Sequence, residues 1–149
     1  MTARHCTFDG TTGGIHIQSN RDVGGLEENV RYEDITMKNV GRAIGIACYY
    51  PRIPKMDKDQ LVTTVTPTFR NIRIKNLTAT SAADAGIVIG LPESWISSVV
   101  LEHVCMTVAT AGLQFQNAKG VQLTDVEVNN KQGPPFIVKD AQVEGLRAQ

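Results

Sequence analysis

Acid–base chemistry needs two carboxyl groups facing each other across the reacting bond, so the first question is where the chain could assemble such a pair. The adjacent acids Glu27-Glu28 and Glu33-Asp34 sit in extended runs, where neighbouring side chains point to opposite faces; they read as solvated. Asp9, Asp22 and Glu27, expected on loops, are the acids nearest to a second group of polar residues, His16-Ile17-Gln18, whose imidazole and amide share one face of a short strand. Arg73-Ile74-Lys75 places two cations in the same relation. Tyr50, with Tyr49 as the adjacent alternative, offers an aromatic platform. No metal site is expected: His5 and His103 lack a His-x-x-x-His or Cys-x-x-Cys companion. Cys6, Cys48 and Cys105 are an odd set without ligand spacing and read as reduced thiols, at least two on inward-leaning positions.

The elements that must position these groups repeat. Residues 28–50 contain two β-like runs, 30–35 and 43–48, joined by the turn-rich Lys38-Asn39-Val40-Gly41. First-run anchors fall at Val30, Ile72, Val99, Val121 and Val143, and second-run anchors at Ile15, Ile44, Ile87, Leu113 and Phe136. Both columns lengthen at the same step, as a single insertion at 49–68 requires. The pattern predicts an all-β solenoid of about five to six rungs forming one domain over 1–149. Period-two alternation sends Ile15 and Ile17 inward and His16 and Gln18 outward. The outward column then continues as Gly45/Ala47, Val88/Gly90, Gln114/Gln116 and Ile137/Lys139. Arg73 and Lys75 align with Arg31 and Glu33 in the other column, which makes them solvated residues away from His16. A polar ladder of His5, Asp34, Asn76, His103 and Asp125 marks a turn. Leu61 to Val65 is a candidate edge strand.

Bulk properties exclude several classes. Fifteen basic and fifteen acidic residues balance, so there is no basic surplus for nucleic acid or an anionic membrane. Aromatics are 5%, which suits a thin core of stacked aliphatic residues. No run reaches the ~18 apolar residues of a membrane span. The start, MTARHCTFDG, has no apolar h-region, so no signal peptide is visible and the sequence names no compartment.

The stretch from Cys6-Thr7-Phe8-Asp9-Gly10, through Gly14-Ile15-His16-Ile17-Gln18-Ser19 and Glu28-Asn29-Val30-Arg31-Tyr32-Glu33-Asp34-Ile35, to residues 43–51 resembles glycoside hydrolase family 28, the polygalacturonases and related pectin-cleaving enzymes. The resemblance implies a right-handed, single-stranded parallel β-helix, a handedness that spacing alone does not give. It also implies a pectic or uronic-acid polysaccharide as partner and no cofactor; family members are usually exported. The family's acid–base motifs, Asn-Thr-Asp, Asp-Asp and Gly-His-Gly, do not occur here, so the chain resembles the C-terminal part of such an enzyme. The family's Arg-Ile-Lys corresponds to His16-Ile17-Gln18, and its cleft tyrosine to Tyr50. His16, Gln18 and Tyr50 are thus the expected substrate contacts, with no catalytic residue among them.

Three functions follow as expectations: a family member without catalytic power that keeps glycan contact, a hydrolase fragment completed by another chain, and a structural β-solenoid. Residue 1 falls inside a repeat with no capping segment before it. The sequence therefore also predicts N-terminal truncation and homo-oligomerisation through the uncapped first rung.

Overall fold

A computed structural model describes residues 1–146. The all-β expectation holds: eight strands and no helix are present among the described residues. They are β1 (Thr2–Asp9), β2 (Gly13–Gln18), β3 (Leu26–Lys38), β4 (Val40–Ala47), β5 (Thr68–Ile89), β6 (Ile96–Val108), β7 (Ala111–Asn129) and β8 (Gln132–Glu144). All pairings between these strands are parallel. One column runs β1-β3-β5-β6-β7-β8 and the other β2-β4-β5-β7-β8, with the long strands β5, β7 and β8 contributing to both. No helix is long and apolar enough to cross a membrane.

The long strands bend at residues with left-handed backbone. Positive φ occurs at His5, Asp34, Asn76, His103 and Asp125, one in each of β1, β3, β5, β6 and β7, and again at Asn29, Asn71 and Ser98. Asn, Asp and His tolerate this region because their short polar groups compensate locally. Stacked on one another, they also bond between strands: Asn76 Nδ2 donates to Asp34 Oδ1 at 2.9 Å, and His103 Nδ1 lies 2.9 Å from Asp125 Oδ2. The polar ladder is therefore a corner, and no metal-holding cluster is found among the described residues.

Between corners, alternation packs the core. Val30, Ile72, Val99, Val121 and Val143 pair in the register that the sequence predicts. The second column needs one correction. Ile15 pairs with Ile44 and Leu113 with Phe136, but Ile44 pairs with Gly86, not Ile87. The inner stack passes through a glycine, followed one step on by Ile17, Ile46, Val88, Phe115 and Val138. Ile87 and Ile89, not Val88 and Gly90, belong to the outward column with His16/Gln18, Gly45/Ala47, Gln114/Gln116 and Ile137/Lys139. With Gly86 as anchor, the step across the insertion is the same 42 residues in both columns. Residues 61–65 form no edge strand: the segment turns instead, exposing Leu61, Val62 and Val65.

Candidate functional site

Three loops leave the ends of the second-column strands and stand side by side: 19–25 after β2, 48–67 after β4, and 90–95 after β5. The outward residues of β2, β4, β5, β7 and β8 form the floor beside them. His16 and Gln18 are exposed at its β2 edge, as alternation requires. His16 Nε2 donates to Gln18 Oε1, and Gln18 Nε2 donates to the Tyr49 carbonyl at 3.0 Å. This relay spends the Gln18 amide on the insertion and leaves His16 Nδ1 over Gly45, where an added Cβ would stand 3.4 Å from it.

Tyr49 and Tyr50 diverge. Tyr50 is 61% exposed beside the relay, whereas Tyr49 is buried and its hydroxyl donates to Asp57 Oδ2 at 2.6 Å. Asp57 belongs to a cluster that sequence reasoning missed. Arg21 Nη2 donates to Asp57 Oδ2 at 2.7 Å and to Glu93 Oε2 at 3.0 Å, while its Nε meets Glu93 Oε1. One guanidinium thus ties all three loops together, and its side chain is only 18% exposed. The sequence signal was confined to single charges in three loops, with Arg21 lying 36 and 72 residues from its partners.

The electrostatics of the cluster decide what it can do. Burial raises the Asp57 carboxyl, but hydrogen bonds from Arg21, Tyr49 and the Lys58 amide outweigh it and leave it below its usual range. Hydrogen bonding to Arg21 outweighs burial at Glu93 in the same direction. The Arg21 guanidinium is pushed up, first by its hydrogen bond to Glu93. Burial and the bond to Asp57 push the Tyr49 phenol up. A general acid must hold its proton near the working pH, and both carboxyls are tuned the other way. The cluster is a brace. Arg21 is thereby consumed and is not free to hold an anion.

The remaining candidates stand apart from this floor. Asp9 ends β1, Glu27 lies within β3, and only Asp22 is on a loop beside β2. The loop positions expected from the sequence hold for Asp22 alone, since strand pairing with β3 and β5 respectively takes Asp9 and Glu27 out of the loops. Arg73 and Lys75 pair with Arg31 and Glu33, away from the His16 column. Burial pushes the Cys48 thiol up to about 12, and burial with Glu127 and Asp125 raises Cys105, so neither is a poised nucleophile. The three cysteines are free.

Further along the floor, a cleft of about 380 Å³ opens between the insertion and the 90–95 loop. Trp95, Lys55 and Asp59 line it from the loops, with Gln116 on β7 and Lys139 and Asp140 on β8. It lies three to four strands from His16, roughly 14–19 Å at ordinary strand spacing.

Neither a curated protein nor a solved structure gives a match. The chain does match Glycosyl hydrolases family 28 over residues 1–124, which takes in the His16 strand, the insertion and the Trp95 loop. The chain belongs to Glycosyl hydrolases family 28.

Proposed function

We propose that this chain is a polygalacturonase-like, right-handed parallel β-helix that contacts pectic polysaccharide through His16, Gln18 and Tyr50 without hydrolysing it on its own. The observation carrying this reading is the state of the carboxylates. The two that are partly buried beside the floor, Asp57 and Glu93, are both held by Arg21, and Asp22 is exposed on its loop. An inverting hydrolase needs a protonated acid and an ionised base ~6.5–9.5 Å apart with room for water between them. Nothing in the brace meets that requirement. Family membership supports the substrate class, and the two parallel columns support the helical winding.

Purified chain should release no reducing ends from polygalacturonate above background, because each missing acid or base removes a factor of ~10²–10⁴. Asp9→Asn and Asp22→Asn serve as controls. Robust turnover abolished by either would overturn the proposal, whereas turnover indifferent to both would point to a contaminant or to a further site on the chain.

A second reading, a structural β-solenoid that self-associates, draws on the first strand. β1 pairs only with β3 among the described residues, and Cys6 and Phe8 on it are only partly buried. A strand edge beside a thinly covered core is a template for another copy. Sedimentation at tens of micromolar should then give a dimer or larger species; a monomer would remove this reading.

A further inference from the structure

We propose that the Trp95 cleft is a separate binding site for a neutral, hydroxyl-rich ring, such as one unit of an uncharged glycan. The cleft stands on different residues from His16, Gln18 and Tyr50, so it goes beyond the reading above. Its volume, about 380 Å³, is at the small end of ligand-binding pockets, which suits a ring-sized group.

Its charges choose the ligand class. Asp57 also borders the cleft, but its Oδ2 is taken by Arg21 and Tyr49, and the brace of one guanidinium and two carboxylates leaves one net negative charge that gives a uronate no purchase. The remaining charges are Lys55 and Lys139 against Asp59 and Asp140, which balance. A uronate carboxylate gaining a lysine would also meet an aspartate, and a cation faces the converse conflict. Hydroxyl groups face no such conflict, since each can donate to a carboxylate and accept from an ammonium or amide. Gln116 adds a further donor and acceptor at the base. Asn117 is held in place there by donating to the Gly90 carbonyl at 3.0 Å, which fixes the turn that carries the wall. Trp95, only partly exposed, supplies an apolar face for the C–H side of a ring.

Trp95 is the only tryptophan, so the site reports on itself. Full-length chain is titrated with galactobiose, xylobiose and arabinobiose, and with digalacturonate, while tryptophan emission is followed. At least one neutral disaccharide should give a saturable change that is insensitive to ionic strength. Lys139→Ala and Asp140→Ala alter exposed side chains and should each weaken it roughly tenfold or more. Circular dichroism confirms that both variants are folded. No response from any neutral sugar would overturn the proposal, as would tighter, salt-sensitive binding of digalacturonate. Repeating the titration in a His16→Ala, Gln18→Ala variant keeps the two sites distinct. Retention of the response supports the assignment to Trp95, and its loss assigns the signal to the other site and overturns it.

Discussion

Arg21 shows how much a single side chain can organise when it reaches two carboxylates from separate loops. Replacing it by alanine leaves Asp57 and Glu93 without their shared cation, a loss of about 1.5–3 kcal/mol for charged hydrogen bonds. Urea unfolding of Arg21→Ala should show that loss. Trypsin should also cut faster at the exposed Arg52, Lys55 and Lys58 of the released insertion. Arg21→Lys should recover only part, since an ammonium cannot fork between two carboxylates. Both carboxyls titrate below their ordinary values in the folded state, so the brace stabilises fully above about pH 5 and is lost as pH falls through the ordinary carboxyl range and below. The gap between wild type and Arg21→Ala should therefore close on acidification below about pH 5; a gap that widens would contradict the brace. At this scale the sequence was informative where alternation governs and silent where loops do. His16 and Gln18 could be set facing outward from their own strand. The partners of Arg21 could not, because loop conformation, and no periodicity, brings them together.

For the strands, legibility depended on how many faces a run leaves apolar. Val30 to Val143 could be aligned because four of the five anchors are followed by a polar residue, Arg31, Arg73, Gln122 and Glu144. Gly86-Ile87-Val88-Ile89 is apolar on both sides, and a one-residue slip exchanges the faces of a strand. The glycine resolves the ambiguity: a Cβ at Gly86 would overlap the Ile44 carbonyl oxygen, and its φ is +130°. A side chain there would be strained as well as blocked. Gly86→Ala should therefore unfold the chain or abolish soluble expression. Gly45→Ala, one strand away on the outward face, meets only ordinary contact with His16 Nδ1 at 3.4 Å and should fold normally. Equal thermal stability of the two variants would show that Gly86 does not occupy the inner stack. The corner ladder was readable in part, as a polar column at fixed offset. Its left-handed backbone is a consequence of stacking Asn, Asp and His where the chain must turn.

Across the whole molecule, every strand returns to a partner far along the chain, by 22 residues at the shortest of these bonded corners and 42 at the insertion. The all-β class, the single insertion and the two columns follow from that return interval, which the sequence displays openly. Handedness does not, since a column of spacings is the same in either winding sense. The loops crowd one rim and the strands carry the core, so the two vary independently. Chain entropy measures how independently: closing a 42-residue return in place of a 22-residue one costs only about 0.6 kcal/mol. That is less than removing one buried methylene, ≈ 0.8 kcal/mol. Loop length at this rim is thus almost invisible to selection for stability, and a lineage can rebuild the walls of the groove while every strand register stays fixed.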